Sequence, residues 1–250
     1  LATFKRIMSM SDFQTSWIQL AFYGSYFCLA LPAALFIRRF SYKAGVLLGL
    51  GLFATGGLLF YPASQTMVYG HFLAALFILA GGLSILETAA NPYIIVLGPA
   101  ETATRRLNLA QAFNPVGSIL GVIIGKLFIL SQLNQASEAD RAVMGDAQLE
   151  QIQRAELSAV MGPYVAVALV IVVLWLVIAF GRFPRYADRG DLPALGPTLR
   201  RLWSHRHYVR GVVAQFFYVG AQIGVWSFTI RYVMAELGLD EDGAASYYLA

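Results

Sequence analysis

Six stretches of this chain are long, apolar and almost free of charge, and that repetition leaves few folds open to it. A helix needs about 17–25 apolar residues to cross the hydrocarbon core of a bilayer. The stretches lie at about 15–37, 44–60, 67–97, 107–130, 162–180 and 211–233, and we number them spans one to six. Inside lipid the backbone must satisfy its own N–H and C=O groups, so an all-α polytopic membrane protein is expected. Composition agrees: 58% of residues are hydrophobic and 13% are charged, where a soluble domain carries about 25% charged residues.

Net charge, +4, would point weakly to nucleic acid in a soluble domain, but here the basic residues gather at span ends. Such clusters report membrane orientation, so a lipid bilayer and no nucleic acid is the expected surrounding. Arg38, Arg39, Lys43, Arg105, Arg106 and the basic loop 182–210 follow spans one, three and five, whereas the opposite side offers Arg141 and Arg154. The loops after spans one, three and five are therefore expected to be cytoplasmic, in a bacterial inner membrane. Cys28 is the only cysteine, which leaves no disulfide framework and no thiolate metal site.

Span one is then expected to enter from outside, which calls for a further span before it if the true N-terminus is cytoplasmic. The last residues, 243–250, look like the opening of another apolar helix. The chain is expected to be a piece of something longer, with six complete transmembrane helices and the start of a seventh. Besides the loops after spans one, three and five, three connections are expected on the opposite side: an uncharged break at 61–65, a polar segment at 131–161 with a short surface helix over 146–160, and an acidic turn at 236–242.

Span three holds the chemistry. Between 68 and 97 the only formal charge is Glu87, and an acid placed in a membrane by default marks a substrate or ion path. Ser84, Glu87, Thr88 and Asn91 stand at i, i+3, i+4 and i+7, so they share one helix face. Three other spans carry polar or aromatic stripes: Ser16, Gln19, Tyr23 and Tyr26 in span one, Asn108, Gln111, Asn114 and Ser118 in span four, Gln215, Tyr218, Gln222 and Trp226 in span six. Amides and phenols offer donors and acceptors to hydroxyls, and an aromatic face covers the apolar side of a sugar ring. A carboxyl group in such a setting can be neutral in one state and charged in another, as proton-coupled transport requires.

Simpler roles stand beside these. Gln111 and Asn114 could join helices, and Asn91 could satisfy the backbone freed by Pro92. Lys126 and Arg231 are expected to snorkel to an interface, and His205 and His207 to sit at lipid headgroups. The spans contain no His/Asp metal cluster and no Ser-His-Asp set, so no enzyme is expected.

The runs Leu86-Glu87-Thr88-Ala89-Ala90-Asn91-Pro92-Tyr93, Val96-Leu97-Gly98-Pro99 and Arg106-Leu107-Asn108-Leu109-Ala110-Gln111-Ala112-Phe113-Asn114 resemble the fucose:proton symporter (fucose permease) family of the major facilitator superfamily. The resemblance extends over almost the whole chain, including Ala214-Gln215-Phe216-Phe217-Tyr218 through Gln222 and Trp226. It implies a twelve-helix carrier of two six-helix halves with alternating access, importing a hexose or deoxyhexose with protons, as a monomer and without a cofactor beyond the proton gradient. Sodium coupling, facilitated diffusion and a non-transporting sugar sensor are the alternatives. The family's membrane acid carries onto Glu87 and its cavity amides onto Gln111 and Asn114; a second acid belongs to a helix preceding this chain. The loop Arg38-Arg39-Phe40-Ser41-Tyr42-Lys43 keeps only the basic part of the superfamily's usual acidic and basic pattern. The implied organisation is an N-terminal half over 1–180 lacking its first helix, a basic cytoplasmic connection over 181–210, and the start of a C-terminal half over 211–250.

Overall fold

The computed structural model describes residues 7, 11–134, 136, 141, 143–184 and 195–239, all of them in helices or in the turns between helices. In chain order the helices are α1 (Asp12–Arg39), α2 (Tyr42–Thr66), α3 (Tyr69–Val96), α4 (Ala103–Gln111), α5 (Phe113–Ile124), α6 (Asp146–Phe180), α7 (Leu195–Ser204) and α8 (Arg206–Leu237). Among the described residues five helical stretches are long and apolar enough to cross a membrane, and α8 makes a sixth when its two halves, bent by 40°, count as one span. The chain divides into two compact units, Leu1–Arg189 and Gly190–Ala250.

Local chemistry sets the helix ends. Ser11 and Gln14 close a capping box on α1, with Ser11 Oγ accepting from the Gln14 amide at 3.2 Å and Gln14 Oε1 accepting from the Ser11 amide at 2.9 Å. Ser41 caps α2 by accepting from the Ala44 amide at 3.1 Å. Met67 ends α2 in the left-handed conformation, φ 52°, and the Thr66 hydroxyl and His71 Nδ1 meet at 2.7 Å across the turn into α3.

α2 and α3 approach until their backbones touch. A Cβ on Gly82 would lie 2.4 Å from the Phe53 nitrogen and 2.6 Å from the Gly49 oxygen, and one on Gly56 would lie 2.4 Å from the Leu79 nitrogen. Small residues at such positions let membrane helices pack backbone to backbone. α1 lies on α3, where Ser25 Oγ donates to the Phe77 carbonyl at 2.7 Å. The far side of α2 packs on α6, where the Trp175 indole N–H reaches the Leu47 carbonyl at 2.9 Å. Two buried clusters result: Phe60, Phe72, Leu79, Leu157 and Val160 at one end, and Ile37, Val46, Leu50, Ala89 and Tyr93 at the other. The remaining face of α6, with Val167, Leu169, Val170, Val173 and Val177, is exposed as a lipid-facing surface would be.

Several expected boundaries are corrected. The break at 61–65 is helix: α2 runs through Pro62 to Thr66, with the Ser64 hydroxyl donating to the Tyr61 carbonyl at 2.6 Å. Pro62 frees the Leu58 carbonyl, four residues back, and proline is tolerated inside membrane helices where neighbouring groups compensate the backbone. The surface helix over 146–160 and span five are one helix, α6, continuous through Pro163. At 1.5 Å per residue its 35 residues span about 52 Å, well beyond the roughly 30 Å of a bilayer core. The basic connection over 182–210 contains α7, and α8 starts at Arg206 rather than Gly211. Pro197 stands in the first turn of α7, where proline costs no hydrogen bond. Span four begins earlier, at Ala103, and breaks at Ala112. Pro115 has no N–H to return to the Gln111 carbonyl, which accounts for the interruption. Lys126 is half-buried in a π-helical turn, Gly125–Ile129. The Arg231 side chain, residues 240–242 of the acidic turn and the opening of the seventh span lie outside the described residues.

Two cations hold the ends of this unit. Lys43, buried, donates to the Ala179 and Gly181 carbonyls at 3.1 and 2.8 Å and so caps the C-terminus of α6. Arg141 forms a two-point ion pair with Glu156, Nη1 to Oε2 at 2.9 Å and Nη2 to Oε1 at 2.5 Å, with side-chain exposures of 4% and 2%. The hydrogen bonds to Glu156 hold the Arg141 guanidinium above its ordinary pKa. The same carboxylate accepts from the Asn134 amide at 2.9 Å, which fastens the connection before α6 onto its first turns.

Candidate functional site

The polar face of α3 meets α1 on one side and α4 on the other. Glu87 Oε1 accepts from the Tyr26 hydroxyl at 3.2 Å. One turn further along, Asn91 Oδ1 accepts from Gln111 Nε2 at 2.9 Å. Ser84 and Thr88 turn inward: Ser84 Oγ donates to the Tyr26 carbonyl at 3.4 Å and Thr88 Oγ1 to the Ser84 carbonyl at 2.8 Å. The face thus divides into two hydroxyls that fasten the helix and two longer groups, Glu87 and Asn91, that reach across to neighbours. Glu87 remains exposed and Asn91 half-buried.

Two devices keep this geometry. Ser25, one residue before Tyr26, ties α1 to the Phe77 carbonyl, and the Phe22 ring packs on Tyr26 with centroids 5.5 Å apart. On the other side Arg106 gathers the end of α3: its Nε donates to the Ile94 carbonyl at 3.2 Å, Nη2 to the Ile95 carbonyl at 2.8 Å, and Nη1 to the Pro99 carbonyl at 3.0 Å and Thr102 Oγ1 at 2.5 Å. Pro92 removes the amide that would bond the Thr88 carbonyl, which loosens the backbone beside the acid.

Of the residues expected from the sequence, Glu87, Asn91 and Gln111 come together. Gln19 and Tyr23 lie along α1, where they line an open groove with Phe13, Ser16, Trp17 and Leu20. Asn114 is exposed on α5, beyond the break at Ala112, with its carbonyl accepting from the Ser118 hydroxyl at 3.3 Å. Gln215, Tyr218 and Trp226 are exposed and Gln222 half-buried on α8 of the second unit. The residue that sequence reasoning left off the site is Tyr26. It belonged to the span-one stripe, but spacing alone gave no reason to pair it with an acid 61 positions away. Among the described residues no group of three His, Cys, Asp or Glu is placed to hold a metal ion.

Chemically the face presents a carboxylate steadied by one phenol, next to an amide pair with donor and acceptor capacity left over. The bond between Asn91 and Gln111 uses one N–H and one oxygen lone pair, and the rest suits hydroxyl groups.

The Major Facilitator Superfamily model matches residues 1–250. The L-fucose-proton symporter of Haemophilus influenzae is 40% identical over 240 residues, covering 93% of this chain and 56% of its own length. The glucose/galactose transporter of Brucella abortus is 38% identical over 246 residues, covering 97% and 56%. A crystal structure of the Escherichia coli fucose:proton symporter aligns with TM-score 0.81 at 38% identity over 99% of this chain and 61% of that one. The chain thus spans a little over half the length of the relatives it matches.

Proposed function

The chain belongs to the Major Facilitator Superfamily, and on that premise we propose that its whole protein is a secondary transporter importing a hexose or deoxyhexose by proton symport. Relatives named as L-fucose-proton symporter and glucose/galactose transporter support the substrate class. The observation that carries the reading is the α3 face: one exposed acid, bonded to a phenol, beside an amide pair. Glu87 exchanges the proton, Tyr26 holds its carboxylate, and Asn91 and Gln111 bind sugar hydroxyls. Gln19, Tyr23 and Asn114 extend that surface, and Gln215, Tyr218, Gln222 and Trp226 also bind sugar. Protonation of Glu87 removes a charge from the path and so lowers the cost of passing through the closed state between outward and inward access.

On this reading residues 1–180 belong to the N-terminal half, 181–210 connect the halves, and 211–250 begin the C-terminal half. The connections after spans one, three and five face the cytoplasm, and the carrier works as a monomer in a bacterial inner membrane. In de-energised vesicles carrying the whole protein, added sugar should alkalinise the outer medium, and Glu87→Gln should abolish both that signal and uphill sugar accumulation driven by a pH gradient. Uptake that depends on sodium, or proceeds without proton movement, would transfer the protein to another coupling class. Sugar binding without any translocation would make it a sensor.

A further inference from the structure

α7 plays no part in the transport reading, yet its sequence is sorted by side. Thr198, Leu199, Leu202 and Trp203 fall at i, i+1, i+4 and i+5 and share one face, while Arg200, Arg201 and Ser204 share the other. Two residues of the apolar side stand open, Leu199 at 48% exposed and Trp203 at 73%, with Leu202 half-buried between them. A helix of ten residues cannot cross a bilayer, being about 15 Å long. One extended residue, His205 at φ −87° and ψ 99°, separates it from α8, where uncharged apolar sequence begins after Arg210. α7 is therefore tethered within a few residues of the point where the chain enters lipid.

Charge points to what covers it. Arg200, Arg201, Arg206 and Arg210 all lie between the start of α7 and the apolar part of α8, with His205 and His207 among them and no acidic residue from 195 to 235. Every described one of these side chains is exposed. Short helices with aromatic and aliphatic residues on one face and arginine on the other lie in the membrane–water interface. Clusters of four or more basic residues beside a membrane helix bind anionic headgroups. We propose that α7 is an interfacial anchor at the foot of α8, with Leu199, Leu202 and Trp203 in the acyl boundary and Arg200 and Arg201 on the phosphates of anionic phospholipids. The proposal rests on the chain being a membrane protein and not on which substrate it carries.

The test uses the whole protein with Cys28 and any cysteine outside this chain replaced by Ser, so that a single introduced cysteine can be spin-labelled. Labels at Leu199→Cys and Ser204→Cys report contact with oxygen in lipid and with a water-soluble nickel complex. In vesicles containing phosphatidylglycerol, the label at position 199 is expected in the acyl boundary and that at 204 in water. Neutralising Arg200 and Arg201 to Gln lowers the ratio of docked to undocked helix by roughly fivefold per charge, about twenty-five-fold together. Vesicles of phosphatidylcholine alone should give the same loss without the substitutions. A label at 199 in water in both lipids, one shielded from oxygen and nickel alike, or one whose depth ignores both lipid charge and the arginines would each overturn the proposal. Because depth is read without sugar, failure here leaves the transport reading untouched, and failure of transport leaves this one standing.

Discussion

Replacing Glu156 by Gln should destabilise the first unit more than any other isosteric change in it. The carboxylate receives three hydrogen bonds, from Arg141 Nη1 at 2.9 Å, Arg141 Nη2 at 2.5 Å and the Asn134 amide at 2.9 Å. Glutamine keeps the volume and one acceptor oxygen, but sets an NH2 donor against a guanidinium N–H. It also leaves a cation at 4% exposure with no counter-charge among the described residues. Arginine cannot escape by losing a proton, since its pKa lies beyond reach and the hydrogen bonds to Glu156 raise it further. Breaking one partner of a buried pair costs about 3–5 kcal/mol, which for a chain of this size lowers Tm by about 6–20 °C. Removing both charges, as Arg141→Met with Glu156→Leu, should recover most of that loss, short of about 1–3 kcal/mol for the orphaned Asn134 amide. The exposed Arg154–Glu150 pair, at 2.7 Å and 55% and 57% exposure, is the internal control: Glu150→Gln should cost under about 0.5 kcal/mol and respond to salt. Thermal unfolding of the purified protein in detergent, followed by tryptophan fluorescence, measures all three variants against the parent. If Glu156→Gln melted within about 2 °C of the parent, less than 1 kcal/mol would be at stake and the reasoning from burial would be wrong.

Gly82→Ala would place a methyl group 2.4 Å from the Phe53 backbone nitrogen, where no rotamer can relieve it, so α2 and α3 must part. The expected loss is about 1–3 kcal/mol or more, and an unchanged melt would refute it. Lys43→Met removes the donor to the Ala179 and Gly181 carbonyls at a loss of about 1.5–3 kcal/mol; limited proteolysis between 181 and 184 should quicken, and protection equal to the parent would contradict the cap. Tyr26→Phe, which deletes only a hydroxyl, should cut coupled sugar uptake about tenfold, equivalent to about 1.4 kcal/mol. Equal uptake would show that the Tyr26 contact does not matter to turnover.

Much of this was legible from residue order alone, because a membrane simplifies the grammar of a chain. The bounds of α3, the isolation of Glu87 and the shared face of Ser84, Glu87, Thr88 and Asn91 follow from hydropathy and helical period. Proline misled: Pro62 read as part of a break, yet α2 continues through it packed against its neighbours, and that packing is tertiary. Arg141 and Glu156 looked like two charges in a solvated connection, and only folding shows them buried against one another. Pairings between helices, Tyr26 with Glu87 and Asn91 with Gln111, were equally out of reach, since spacing reports faces and not which faces meet. α7 was hidden by its company: a helix of ten residues among prolines and arginines carries too few turns for its period to stand out.

The four hydrogen bonds of Arg106 have a mechanical meaning. They weld the last turn of α3 to the first turn of α4, so the corner between them is a stiff elbow and not a hinge. If the whole protein is the transporter proposed above, the end of α3 and the start of α4 should then move as one body, and bending is to be sought at softer joints such as Pro92 and the interruption at Ala112. A pair of distance probes set across the elbow should keep its separation through a transport cycle while probes across Ala112 change theirs.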